Sequence, residues 1–114
     1  MHRASAYLTA SLLSLAPMMY GHAVAADSAT VRVNGVRYTL PVNSLYPRPF
    51  PTDPMRHRYE YMSVVVKGRS LYVNCVRRYH ARAGDTVVVK YVPNEIWVNG
   101  KRIRERPEPA SACP

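Results

Sequence analysis

LYVNCVRRYHARAGDTVVVKYVPNEIWVNGKRI, residues 71–103, holds the only Trp of the chain, one of its two Cys and its densest positive charge. Strand side chains alternate between two faces with period two. From Leu71, one face carries Leu71, Val73 and Cys75, and the other Tyr72, Asn74 and Val76. From Thr86, the residues Val87, Val89 and Tyr91 oppose Thr86, Val88, Lys90 and Val92. β-Branched and aromatic residues dominate both runs, which suits a pleated surface. Between the runs, residues 77–83 read as a basic linker that ends on the turn Gly84-Asp85. Pro93-Asn94 breaks the second run before Ile96-Trp97-Val98. Asn99-Gly100 is then a two-residue hairpin signal, because both positions tolerate positive φ.

The same chemistry recurs upstream. Val31-Arg32-Val33, Asn34-Gly35 and residues 36–40 read as another hairpin after a short mobile start at 26–30, and VNGVR at 33–37 echoes VNGKR at 98–102. Residues 59–67 read as one strand, with Tyr59, Tyr61, Ser63 and Val65 opposing Glu60, Met62, Val64 and Val66. Lys67-Gly68 turns it into the strand 70–76. Residues 41–54 form a connector holding Pro41, Pro47, Pro49, Pro51 and Pro54. Proline removes backbone donors and fixes φ, so this stretch is no interior strand, and Tyr46, Phe50 and Met55 are its candidate anchors on the domain. No segment outside the first 25 residues has helical periodicity. The expected fold is all-β: a small antiparallel open barrel or sandwich of about five to seven strands. Its core spans about residues 31–104 of a single domain covering 26–114, with a polar tail at 105–114.

Residues 1–25 read as a signal peptide. Arg3 supplies the positive start, residues 4–19 an apolar run, and Ala23-Val24-Ala25 a small-x-small cleavage pattern. A membrane span needs ~20 apolar residues, and Ser11, Ser14 and Pro17 interrupt this shorter run, so no transmembrane span is expected after cleavage. Arg3 is the only charged residue before Ala26, so the rest of the chain carries 15 basic and seven acidic residues, a net of +8. Such a charge often serves nucleic acid, which an exported protein rarely meets. The expected location is periplasmic or secreted. The expected partners are an anionic lipid, lipopolysaccharide, a cell-wall polymer or an acidic protein. In an oxidising compartment, Cys75 and Cys113 are expected to form a disulfide.

Catalytic chemistry finds little purchase. His57 lies between Arg56 and Arg58, and His80 beside Arg77, Arg78 and Arg82, where neighbouring positive charge disfavours metal binding. Both are expected on a solvated basic surface. Met55 and Met62 are too sparsely spaced about His57 for a soft copper site. No metal or other cofactor is expected. Ser44, Ser63 and Ser70 lack a nucleophile signature, and the acids form no evident pair.

The residues RRYHARAGDTV at 77–87, followed by IWVNGK at 96–101, resemble the β-region of type I signal peptidases and the related conjugative-transfer proteases. That family carries a Lys-Arg pair, a Gly-Asp-x-Val strand and a Val-Asn-Gly hairpin, and its lysine is the general base for a serine nucleophile. The match covers about a quarter of the chain. Arg77 stands where the lysine would, and a guanidinium stays protonated, so it cannot take a proton from serine. Thr39-Leu40-Pro41 with Ser44-Leu45-Tyr46 is only a faint echo of the serine motif. The resemblance therefore implies a β fold without catalysis.

Seven tyrosines follow the leader, and they interleave with arginine around 56–61 and 77–82. Both residue types favour contact surfaces. The candidate binding residues are Arg56, Arg58, Arg77, Arg78 and Arg82, with Tyr79 as an anchor. The sequence thus reads as a non-enzymatic envelope binding domain. The alternatives are a structural subunit of an envelope assembly or a degenerate signal-peptidase-like protein.

Overall fold

The computed structural model describes residues 27–104, 108–109 and 113–114. The expected signal peptide lies outside them. Alternation builds the first sheet: β1 (Ser28–Val33) buries Ala29, Val31 and Val33, and β2 (Val36–Pro41) buries Val36, Tyr38 and Leu40. Residues 28–30, expected as a mobile start, belong to β1, because Ala29 continues its buried face. The second sheet begins with β3 (Met55–Tyr59), β4 (Met62–Lys67), β5 (Ser70–Val73) and β6 (Val76–His80). β7 (Thr86–Lys90), β8 (Glu95–Val98) and β9 (Lys101–Arg102) return to the first, and β10 (Glu108–Pro109) to the second.

The sheets have the orders β1-β2-β7-β8-β9 and β10-β6-β5-β4-β3. Their inner faces share one core in which Val36, Tyr38, Leu40, Met55, Val64, Val66, Leu71, Val87 and Ile96 are fully buried. The all-β expectation is met, as a two-sheet sandwich. Every ladder is antiparallel except β2–β7, where Tyr38 pairs with Val87 in parallel. Strands β3 to β6 of the second sheet lie between those two strands in sequence, so the first sheet closes only through this long-range pairing.

Three expected elements differ. The strand expected over 59–67 is a hairpin that turns at Glu60-Tyr61, with Tyr59 opposite Met62. The strand expected over 70–76 also folds back, at Asn74-Cys75, with Val73 opposite Val76. The basic stretch read as a linker is therefore largely β6. Neither turn contains glycine, yet Glu60, Asn74 and Cys75 have φ of 53°, 50° and 66°. Such left-handed backbone costs an ordinary residue roughly 1–2 kcal/mol, and local bonds offset it. Ser63 N donates to Asn74 Oδ1 and Asn74 N to Ser63 O, both at 2.8 Å. Arg58 Nε donates to Glu60 O at 3.1 Å. Of the connector's candidate anchors, Met55 is fully buried and Tyr46 lies 6.0 Å from the Tyr59 ring, whereas Phe50 is 79% exposed.

His57, expected on the surface, is buried, with Nε2 2.8 Å from the Pro41 carbonyl. β3 alternation points it inward between Met55 and Tyr59, which outweighs the flanking arginines. Met55 and Met62 are core side chains.

Cys75 and Cys113 are bridged as expected, and the bond places the chain outside the reducing cytosol. It closes a loop of 38 residues. Loop-closure entropy then stabilises the fold by about 4 kcal/mol. Cys113→Ser is expected to lower Tm by on the order of 15–30 °C. Calorimetry of the oxidised protein measures this. An unchanged Tm, or two alkylatable thiols before reduction, contradicts it.

Candidate functional site

Strand direction sorts the turns into two ends. β2, β3 and β7 all leave one end, where Asn34-Gly35, Gly68-Arg69, Gly84-Asp85 and Asn99-Gly100 meet. Asn34 Nδ2 donates to Gly68 O at 2.7 Å and Gly84 N to Gly35 O at 2.8 Å. Gly35 has φ of 78°, and a Cβ there would sit 3.6 Å from that of Ala83, so backbone geometry favours glycine where the two sheets meet.

Asp85 closes this end. Its Oδ2 accepts from the Tyr79 hydroxyl and the Arg82 amide, both at 2.9 Å, and its Oδ1 from Asn99 Nδ2 at 3.1 Å. Asn99 Oδ1 in turn accepts the Thr86 amide at 2.9 Å, and the Asp85 carbonyl accepts the Arg37 amide at 3.0 Å. The Arg82 amide, followed by Asn99 and Tyr79, holds the Asp85 carboxyl below the usual carboxylate range. Asp53 does the same work between the β1–β2 and β4–β5 hairpins. It accepts from the Gly68 amide and from Asn34 Nδ2, both at 2.9 Å, and these bonds lower its pKa.

Around these two acids stand six exposed cations: Arg32, Arg37, Lys67, Arg69, Arg82 and Lys101. Arg32 and Arg37 face each other in register across the β1–β2 ladder, a like-charge opposition that an anion would relieve. Each cation flanks a glycine turn. That coincidence was the available signal, and the sequence reading found only Arg82 among the six.

The sequence-derived candidates do not gather into one patch. Arg56 and Arg77 lie on the outer face of the second sheet, separated in register by Val65 and Tyr72. Arg56 Nη1 donates to the Pro114 carbonyl at 2.6 Å. Arg58 shares the outer face of β3 but lies nearer the opposite end of the domain. Arg78 is the extra residue of a β-bulge opposite Tyr72, and its Nη1 donates to Asn94 Oδ1 at 2.6 Å. Tyr79 packs on the core and is an anchor for Asp85. Arg82 alone joins the glycine end.

Two further arrangements were not legible in the sequence. Ser70 Oγ lies 3.0 Å from His80 Nδ1 across β5–β6. Among the described residues no carboxylate hydrogen-bonds His80, so the pair lacks the orienting member of a Ser-His-Asp triad. On the outer face of the first sheet, Lys90 Nζ sits 4.3 Å over the Trp97 ring, while Glu95 accepts from Trp97 Nε1 at 3.2 Å and from Arg102 at 2.9 Å. Most of that charge is internally matched. Among the described residues, no three His, Cys, Asp or Glu side chains cluster as metal ligands, and no helix is long and apolar enough to cross a membrane.

Tyr38 stands behind Asp85 with its hydroxyl buried and, among the described residues, without a hydrogen-bond partner. Burial first, then the nearby Asp85 charge, pushes its pKa up to about 12. An unsatisfied buried hydroxyl costs about 1–3 kcal/mol, so Tyr38→Phe is expected to raise stability at neutral pH. The sign in alkali follows from linkage: unfolded Tyr38 ionises near its ordinary value of 10.0, whereas folded Tyr38 resists. Its ionisation leaves stability untouched below pH 10.0 and lowers it progressively as pH rises toward about 12. Urea unfolding across that range should therefore show a steeper alkaline loss in the native protein than in Tyr38→Phe. A variant that melts lower at pH 7 contradicts the assignment.

Comparison with known proteins finds no matching family, no similar characterised protein and no similar solved structure.

Proposed function

We propose that this chain is an exported, non-enzymatic domain of the cell envelope, periplasmic or secreted, that binds an anionic partner through its glycine end. The observation that carries this reading is the set of six exposed cations on four adjoining segments, around two carboxylates already committed to hydrogen bonds. Two-residue turns hold Arg32, Arg37, Lys67, Arg69 and Lys101 at or beside the ends of paired strands, so little backbone entropy is lost when a partner binds. The partner is an anionic polymer, an anionic lipid surface or an acidic protein, with export arguing against nucleic acid. Arg77 in place of a lysine base supports a binding rather than a hydrolytic role.

The test neutralises Arg32, Arg37, Lys67, Arg82 and Lys101 together as Gln, sparing Arg69, whose Nε donates to the Asn34 carbonyl at 3.2 Å. Exposed changes of this kind usually alter stability by no more than about 0.5 kcal/mol each. Retention on isolated anionic envelope material is measured against salt, since charges are screened beyond ~8 Å at physiological ionic strength. The five-site variant should bind several-fold more weakly. Arg56→Gln should change binding little. Equal loss in both variants, or salt-insensitive binding, contradicts the reading.

A further inference from the structure

The end opposite the glycine turns has a different chemistry. There the β2–β3 connector, the β3–β4 turn and the β7–β8 turn meet. Asn43 Nδ2 donates to Glu60 Oε2, and Asn94 Nδ2 to Met62 Sδ, each at 3.4 Å. The rings of Tyr46, Tyr59 and Tyr91 pack behind them, tilted at 6.0 Å and edge-on at 5.3 Å between centroids. From this aromatic base each of the three segments projects one large apolar side chain: Leu45 is 77% exposed, Tyr61 86% and Val92 82%. A groove of about 370 Å³, lined by Pro41, Tyr59, Tyr91 and Val92 among others, opens on the Val92 side.

Isolated exposed hydrophobics are ordinary, but three on separate loops at one end call for an occupant. We propose that Leu45, Tyr61 and Val92 dip into the interface of an anionic lipid bilayer. This goes beyond the basic-end reading and does not depend on it.

Two arguments favour lipid over a folded partner. No side chain of the three exceeds a tyrosine, which buries roughly 150–250 Å². Together they fall short of the ~800 Å² per partner of a stable protein interface. Three separate prongs, however, suit a fluid phase that reshapes around them, and Tyr61 has the apolar body and polar tip that membrane interfaces favour. The second argument is charge. Arg58 and Lys90 are exposed on strands leading into this end. Of the nearby acids, Glu60 is tied to Asn43 and Glu95 to Arg102, leaving Asp27. With a net of +8 beyond residue 25, the exported chain is drawn to an anionic surface.

The experiment uses the exported protein, purified after removal of residues 1–25, with Trp97→Phe and Tyr61→Trp, so that one indole reports from the tip. Vesicles of equal parts phosphatidylcholine and phosphatidylglycerol are compared with phosphatidylcholine alone. The reporter emission should shift to the blue and the protein should float with the anionic vesicles. A second variant, Leu45→Ser with Tyr61→Ser and Val92→Ser, should bind those vesicles roughly tenfold or more weakly, the least that losing one buried Leu-sized contact implies. Its circular dichroism and its salt elution from a polyanion matrix should stay unchanged, which shows that the fold and the basic end persist.

Flotation without a blue shift would mean that charge alone holds the protein to lipid, and would overturn the proposal while leaving the basic end intact. A native protein that sediments as a dimer, a serine variant that sediments as a monomer and no flotation would assign the tip to a second copy, and would also overturn it. Loss of polyanion retention in the native protein, with the blue shift preserved, would remove the basic-end reading and leave the membrane proposal standing.

Discussion

Asp85 is the point at which the two sheets are closed against each other. One carboxylate receives a side chain from the second sheet, Tyr79, a backbone amide from the crossing loop, Arg82, and a side chain from the last hairpin of the first sheet, Asn99. Its carbonyl receives the amide of Arg37, where β2 begins. The parallel pairing of β2 and β7 starts here, at Arg37 and Thr86, so the first sheet depends on how this loop is set. Because its folded pKa is depressed, Asp85 contributes stability that is present above its unfolded pKa and is lost as pH falls through the lower folded value.

Closing one end this way divides the molecule. Asp53 and Asp85 spend their acceptor capacity on turn backbones and Asn side chains, so they offer little to the arginines and lysines around them. The charge at that end is left facing outward. At the other end the turns lack glycine, a disulfide and a cluster of tilted and edge-on tyrosines hold the segments, and apolar side chains project. On the function proposed above, a basic end and an apolar end on one small sandwich would let a single domain engage two different features of an envelope.

The core strands were legible wherever a period-two pattern was bounded by glycine. Asn34-Gly35 and Asn99-Gly100 turn as their sequence indicates, and the Cys75–Cys113 bridge follows from their count and context. Glu60-Tyr61 and Asn74-Cys75 were hidden, because neither pair contains glycine and nothing in the residue type of Glu60 or Cys75 marks its left-handed backbone. Once the second turn was missed, Val76–His80 looked like a linker. The parallel β2–β7 pair leaves no local trace, since nothing in either strand encodes its partner. The basic end was hidden for a related reason. Its cations are spread from Arg32 to Lys101 and become neighbours only when four turns are brought together, whereas the dense cluster at 77–82 is divided by the pleat and by a bulge.

The most direct measurement is amide hydrogen exchange on the native protein and on Asp85→Asn at neutral pH. If Asp85 closes the domain, exchange should accelerate at the amides of Arg82, Thr86 and Arg37, which depend on this residue directly or through Asn99. The amides of β4 and β5, which lie within the second sheet, should stay protected until global unfolding. Unchanged exchange at Arg82 and Thr86 would contradict the account, as would uniform acceleration across both sheets.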